Sequence, residues 1–360
     1  MAKILGLDVG YGFVKVADGV CGYSFPSVVG EGHTKPTFST RAHLMPVMDN
    51  LKVEINKKLY HVGKAAIRHS KYVYRDLSYN RSIGEDFEIL FYAALSLFCT
   101  GHTNNFKVVT GLPIDRLHLA EKLEQRVRGE RDIRVFRSGR MRDIRIYVPE
   151  IEMVPQPLGT YWSEFYSPDG QPKAHPEGMT GIIDVGFRTT DLAVIEDDEY
   201  IPEKSRSLPI GLATAYDSIS SKLAAEYGLE VESYALDSVI IERKISVSGE
   251  KLDISDIIAR AFENLAVNIL VEINSQWRVS NFSDLILTGG GGQAIGAHLL
   301  PQLPQAKLAA DPITANCRGY LNWGNWLWKP VDRAEAFETI EANVCETEEV
   351  QPEVEEKTEG

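Results

Sequence analysis

The stretch GIIDVGFRTTDLAVI, residues 181–195, decides the reading of this chain. A short apolar run of the kind that makes a buried strand ends in Asp184-Val185-Gly186, and β-rich sequence resumes within a few residues. Residues 4–16, ILGLDVGYGFVKV, repeat the plan with Asp8-Val9-Gly10. In each copy a polar residue follows the Asp at an offset of seven: Lys15 after Asp8, Asp191 after Asp184. One Asp-x-Gly at a strand end is usually just a hairpin turn. Two hairpins built alike and far apart in sequence point instead to two related half-domains facing one another across a cleft. Turn glycines let backbone N–H groups approach an anion closely, so paired turns make a phosphate clamp. Asp8 and Asp184 would then hold a hydrated Mg²⁺, an ion that keeps several waters and takes few protein oxygens. Asp191 more often supports the turn than does chemistry.

Two further stretches fit that scheme. Residues 285–288, LILT, read as a strand ending in Gly289, Gly290, Gly291 and Gly292, followed by Gln293 and a helix start. A strand, a glycine run and a helix N-terminus together let a ligand lie against backbone, although a glycine run alone reads as a flexible turn. Gln156 sits in Pro155-Gln156-Pro157, just where the strand of residues 146–154 ends. A Gln there can hold a water by its amide and aim it at a phosphate without being a strong base. The plain alternative is a polar loop residue.

Composition narrows the classes. A chain of 360 residues, 44% hydrophobic, can bury a large core and splits naturally into two lobes. The net charge is −13, but residues 331–360 hold 11 acidic and 2 basic residues and so carry −9 of it. That tail is poor in apolar residues and is expected to be disordered, as a solubility tail. The acidic balance argues against direct nucleic-acid binding. Eight arginines crowd residues 126–145, but without aromatics at base-stacking spacing, so they read as the charged face of a β-hairpin. Cys21, Cys99, Cys317 and Cys345 form no C-x-x-C pair and no zinc pattern, which points to reduced thiols in a cytoplasmic protein. The N-terminus enters its first strand directly, and no segment approaches the roughly 18 apolar residues of a membrane span.

Taken in order, residues 30–80 read as a small β-rich insertion, with a hairpin turning near Asn56-Lys57-Lys58. Residues 84–99 carry apolar side chains at helical spacing. Pro113 suits the first turn of a helix running to about Arg128. Gly211 precedes a helix that ends at Gly228, and residues 254–278 form a long amphipathic helix. Residues 315–320, ANCRGY, open the last helix. Trp323, Trp326 and Trp328 read as core or lobe-contact residues rather than a base-stacking platform.

These parts in this order resemble the actin-like ATPase superfamily and, within it, the bacterial and archaeal actin-like proteins of the ParM/StbA plasmid-segregation group. Residues 7–16, LDVGYGFVKV, are similar to the family's first phosphate hairpin, and IDVGFRTTDLAV to the second. Residues 154–157 and 315–320 match the two connecting segments, and residues 285–295 the adenosine motif; VVTGLP and VEINKKLYHVGKAA are common in the ParM-like branch. The resemblance covers residues 1–328. It implies an α/β fold, actin-like (ribonuclease-H-like), duplicated, with two lobes and a nucleotide cleft between them. Lobe I would span 1–165 with the insertion at about 30–80, and lobe II 166–330 with an insertion at about 217–255.

The same resemblance implies ATP or GTP, Mg²⁺, hydrolysis, head-to-tail filaments of the chain itself, and a DNA-binding adaptor protein that links them to plasmid DNA. No membrane is implied. Asp8 and Asp184 would organise Mg²⁺. Gly10, Tyr11, Gly12 and Lys15 would meet the phosphates on one side, and Gly186, Thr189 and Thr190 on the other. Gln156 would position the attacking water, and Gly289, Gly290, Gly291 and Gly292 would pass under the adenosine. Tyr11 stands where conventional actin has a small hydroxyl residue. Arg188, with Phe187, stands where many relatives have glycines; it would touch a phosphate directly or cap the turn. Many ParM relatives carry Glu at the position of Gln156. The alternative on the same fold is a non-polymerising ATPase, either a small-molecule kinase or a cell-division or pilus scaffold, and fold alone does not decide.

Overall fold

The protein is described here from a computed structural model, which describes residues 2–33, 47–78, 84–137, 140–173, 177–247 and 249–329. Residues 34–46 of the stretch read as a β-rich insertion, and the acidic tail with Cys345, lie outside the described residues.

Lobe I opens with the hairpin β1 (Lys3–Val9) and β2 (Phe13–Ala17), continued by β3 (Gly22–Pro26). The short strands β4 (Val29–Glu31), β5 (Lys52–Ile55), β6 (Lys58–Val62) and β7 (Val73–Tyr74) follow, with helix α1 (Lys64–His69) before the last. Helix α2 (Glu85–Ser96), strand β8 (Thr103–Leu112), helix α3 (Ala120–Val127) and the hairpin β9 (Gly129–Arg137) and β10 (Arg140–Pro155) complete the lobe. Helix α4 (Leu158–Phe165) leads out of it. Lobe II begins with the hairpin β11 (Met179–Val185) and β12 (Thr190–Glu196), edged by β13 (Glu199–Tyr200) and β14 (Arg206–Leu208). Helices α5 (Leu212–Tyr227) and α6 (Ser233–Glu242), the hairpin β15 (Lys244–Val247) and β16 (Glu250–Asp253), and helix α7 (Ser255–Gln276) come next. Strand β17 (Asp284–Thr288), helix α8 (Gly289–Leu299), strand β18 (Ala306–Leu308) and helix α9 (Ala315–Trp328) close the described chain.

The repeat in sequence is a repeat in topology. In lobe I, β1 pairs antiparallel with β2 and parallel with β8, which runs parallel to β10. In lobe II, β11 pairs antiparallel with β12 and parallel with β17, which runs parallel to β18. The offset of seven has a simple cause. In the hairpin register Asp8 lies directly opposite Lys15, and Asp184 directly opposite Asp191. The fold is thus the actin-like two-lobe α/β fold that the motifs implied.

Several local readings meet their expected elements. Asn56 and Lys57 turn the β5–β6 hairpin with φ of 51° and 65°, the left-handed pair that a tight two-residue hairpin needs. Helix α5 ends on Gly228 at φ 67°, whose amide returns to the last turn. Three points add to or differ from the sequence reading. The strands of residues 30–80 do not form a sheet of their own, because β5 pairs with β9 and extends the lobe I sheet to ten strands among the described residues. The glycine run is not a turn ahead of a helix. It is the first turn of α8 itself. After Pro113 the chain forms a 3-10 turn, Ile114–Leu119, before α3 begins at Ala120.

The core lies in three parts. Lobe I packs α2 onto its sheet through residues such as Phe87, Leu90 and Phe91, and lobe II packs α5, α7 and α8 onto its own. A third cluster, including Val109, Tyr161, Ile182, Ile286 and Tyr320, joins the sheets through α4 and α9. There Trp162 stacks on Trp323 with centroids 4.5 Å apart and planes 4° apart, so these tryptophans hold the junction. The helices cross at Gly159 and Gly319. A Cβ added at Gly319 would lie 1.6 Å from the Gly159 carbonyl oxygen, a clash that only separation of the helices relieves. We expect Gly319→Ala to lower stability by about 2–3 kcal/mol in urea unfolding. A loss within about 0.5 kcal/mol, the range of a neutral surface change, would mean that the crossing is not tight.

Candidate functional site

The facing ends of the two hairpins carry the site. Asp8 stands near the end of β1 and Asp184 near the end of β11, 2% and 4% exposed. The turns touch: a Cβ on Gly12 would lie 3.1 Å from Cβ of Phe187. The first hairpin also reaches across, since Tyr11 packs into the apolar cluster of lobe II.

Each carboxylate is held by its own partners. Lys15 Nζ donates to Asp8 Oδ2 at 2.8 Å, and Gln156 Nε2 donates to Asp8 Oδ1 at 2.9 Å. Asn316 Nδ2 donates to Asp184 Oδ2 at 2.7 Å. Asn316 is fixed in turn by the Thr160 hydroxyl, which donates to its Oδ1 at 2.7 Å and lies 2.9 Å from Thr288 Oγ1. Tyr320 donates to the Gln156 carbonyl at 2.9 Å. The first turn of α9 therefore props Asp184 and the Gln156 segment together. Asp191 accepts from the Ile114 amide at 3.1 Å, from Thr189 Oγ1 at 3.0 Å and from Ser207 Oγ.

The electrostatics of the two halves differ. Burial pushes the Asp184 carboxyl up to about 7, against the pull of Asn316, and the nearby Asp191 and Asp8 push the same way. Burial also lifts Asp191 to about 6, restrained by its hydrogen bonds from Ser207, Ile114 and Thr189. For Lys15 burial works downward, but Asp8 beside it outweighs that and holds its ammonium form. Burial raises the Cys317 thiol, which donates to the Gly6 carbonyl and is not a nucleophile in this setting.

The remaining site residues of the sequence reading fall in four groups. Gly10 lies beside Asp8 and Lys15, where an added Cβ would sit 3.6 Å from Asp8 Oδ1 and from Lys15 Nζ, whereas Gly12 lies against Phe187 and the Gly186 amide closes its own turn by donating to the Thr189 carbonyl at 2.9 Å. Thr189 and Thr190 turn their hydroxyls inward, to Asp191 and to the Ile210 carbonyl, so what they can offer a ligand is backbone N–H. Arg188 gives its guanidinium to the carbonyls of Leu77 and Pro209, at 3.1 and 3.4 Å, the geometry of a cap rather than of a phosphate contact. The four glycines also divide. Gly289 has φ 85°, and a Cβ there would lie 2.3 Å from the Val185 carbonyl and 2.5 Å from Asp184 Oδ1. Gly289 and Gly291 let α8 begin directly against the end of β11, while Gly290 faces open space. The α8 N-terminus, with its positive dipole end, thus lies beside Asp184.

Comparison with known proteins agrees with this geometry. A family profile for the N-terminal domain of actin-like proteins matches residues 6–159, and one for the C-terminal domain of the archaeal MreB-like actin homologue matches residues 182–300. Each half of the chain is thus similar to actin-like proteins. Archaeal actin homologs of Thermoplasma volcanium and Thermoplasma acidophilum are 31% and 32% identical over 155 residues, which is 40% of this chain and 46% of each relative. The match thus spans about half the length of these curated relatives. Among solved structures, a subunit of a 15-stranded ParM filament from Clostridium botulinum is similar at 26% identity and a TM-score of 0.76, over 90% of this chain and 99% of that one. An archaeal actin homolog in complex with ADP shares the fold, at 24% identity and a TM-score of 0.72, over 89% and 98%.

The sequence reading missed Asn316, Thr160, Thr288 and Arg116. Asn316 and Tyr320 stand four apart on α9, a spacing that places both on one face. Arg116, 2% exposed, sets its guanidinium 5.1 Å from the centre of the Tyr11 ring. Among the described residues no group of three or more His, Cys, Asp or Glu side chains is arranged to hold a metal. Two carboxylates suffice for a cation bound through water. Asp184 is buried and, among the described residues, is hydrogen-bonded by the Asn316 amide with Lys15 acting at longer range, so added positive charge gains there.

The raised Asp184 fixes a pH dependence. The folded protein takes up a proton that the unfolded chain, with its ordinary carboxyl near 3.8, does not. The resulting stability is present in acid and is lost as pH rises through about 7. Without nucleotide or divalent cation, the protein should therefore be more stable at about pH 5 than at about pH 8 from this group. Asp184→Asn should remove a difference on the order of 2 kcal/mol in urea unfolding at the two values. Equal pH slopes for parent and variant would show that Asp184 stays ionised throughout.

Proposed function

We propose that this chain binds ATP between its two hairpin turns, hydrolyses it, and assembles head-to-tail into filaments that segregate plasmid DNA through an adaptor protein. The observation that carries the reading is the pair of buried carboxylates, Asp8 and Asp184, supplied by different lobes beneath facing glycine turns. Backbone amides of the two turns, Gly12 in the first and Thr189 in the second, are the phosphate donors, since the Gly186 amide is held by the Thr189 carbonyl at 2.9 Å, and Lys15 adds fixed positive charge beside Asp8. Gly290, open on its outer side, is the surface against which the adenosine lies. The donor set suits Mg²⁺, which when bound at Asp8 and Asp184 neutralises charge developing on the phosphates.

With its Nε2 donated to Asp8, Gln156 has its Oε1 left to accept from the attacking water. It orients that water and does not deprotonate it as a strong base would. Phosphoryl transfer needs mainly positioning and charge stabilisation, so this modest set is sufficient. Head-to-tail contacts between identical subunits are heterologous and give open filaments. The likeness to a ParM filament subunit over most of this chain supports that step.

Pelleting with ATP and Mg²⁺, but not without nucleotide, is the expected result, and GTP in place of ATP tests the base. Gln156→Ala should still bind and pellet, with phosphate release slowed on the order of 10–100-fold. Equal release from variant and parent would remove Gln156 from this role. A parent that binds and hydrolyses but never pellets would favour the non-polymerising ATPase.

A further inference from the structure

The turn between β11 and β12 is clamped from outside by a second set of contacts that nucleotide chemistry does not require. Arg75 comes from the lobe I segment after β7, and its side chain is 2% exposed. It pairs end-on with Asp237 of α6 in lobe II, Nη2 to Oδ2 at 2.5 Å and Nη1 to Oδ1 at 3.5 Å. Tyr216 of α5 donates to the same carboxylate at 3.1 Å. The Arg75 guanidinium also lies 4.7 Å from the centre of the Phe187 ring, and Tyr216 meets that ring edge-on at 5.0 Å. On its inner side Phe187 touches Gly12. The neighbouring Arg188 closes the junction by donating to the Leu77 carbonyl. The turn is tied rigidly to α5 as well, since Leu212 N donates to the Gly186 carbonyl and Ala213 N to that of Phe187, at 3.1 and 2.7 Å.

Phe187 is thus gripped between two pieces of lobe I, the first hairpin on one side and Arg75 on the other. Drawing the hairpins apart pulls Phe187, α5 and α6 away from the Arg75 segment as one body. The Arg75 side chain is 2% exposed and that of Asp237 13%, so parting the pair leaves a largely buried guanidinium without its carboxylate, which opposes the first step of opening. We propose that Arg75 and Asp237 form an interlobe latch, with Phe187 as its bearing, that sets how fast a nucleotide leaves the cleft. The latch rests on the nucleotide site proposed above but is separate from it. Arg75 and Asp237 are positioning residues and touch no phosphate. The latch makes release a two-step event, opening first and dissociation second, with the closed state favoured before any ligand arrives.

The test follows release of a fluorescent ATP analogue with Mg²⁺, chased by excess ATP. Asp237→Asn keeps the size and the Tyr216 hydrogen bond but removes the charge, and should speed release by about tenfold or more. The swap Arg75→Asp with Asp237→Arg should return release toward the parent rate. Release from Asp237→Asn at the parent rate, or release from the swap as fast as from Asp237→Asn or Arg75→Asp alone, overturns the latch. Amide hydrogen exchange without nucleotide gives an independent reading. Asp237→Asn should raise exchange at residues 73–78 and 186–190 together, whereas a rise confined to α6 overturns the latch. Should the variants not fold, exchange of the parent decides: residues 73–78 and 233–237 should open with one common free energy, and separate values overturn it. A parent that retains no nucleotide sinks the nucleotide site instead, while the exchange readings still judge the latch.

Discussion

Two carboxylates from different lobes, buried within the same polar junction, are the constraint on which this structure depends. Each costs several kcal/mol to remove from water unless it is paired or hydrogen-bonded. That requirement explains the placement of Lys15, Gln156 and Asn316, and through Asn316 the contact of α9 with α4. The close crossing at Gly159 and Gly319 is the backbone consequence. Without it the first turn of α9 could not reach Asp184 while Tyr320 held the Gln156 segment.

The two halves share a plan but not a charge. Opposite Asp8 the register places a cation, Lys15; opposite Asp184 it places a second acid, Asp191. Lobe I therefore neutralises its carboxylate internally. Lobe II relieves Asp191 with a backbone amide and two hydroxyls and leaves Asp184 to one amide donor. The asymmetry makes lobe II the side that gains from an added cation, with the α8 N-terminus and Lys15 as fixed sources of positive potential near Asp184. The duplication supplies the geometry of a clamp, and divergence at one register position supplies its polarity.

Much of this was legible along the chain because it is local. The two hairpins, the helix between Gly211 and Gly228, the long helix α7 and the glycine run all carry their signals within a few residues. What was not legible lies across long separations. Asn316 meets Asp184 over 132 residues, and Arg75 meets Asp237 over 162. No periodicity reports such pairs. Residues 30–80 read as a small β-rich insertion because their strands pair locally, and among the described residues the β5–β9 register joins them to the lobe I sheet. For Arg188 the sequence allowed a phosphate or a cap, and the Leu77 carbonyl, 111 residues away, supplied the contact that separates the two. The glycine run was visible as a run, but its division into packing glycines and one open face needed the end of β11 to be in place.

The central claim is that one triphosphate is gripped by both turns at once. A structure of the protein with a non-hydrolysable ATP analogue and Mg²⁺ tests it most directly. The account predicts the phosphates between residues 10–12 and 186–190, with the cation held from Asp8 and Asp184 through water. An analogue found elsewhere, for instance in the cavity of about 550 Å³ that Glu54, Arg131, Arg134 and Arg145 line, would contradict it.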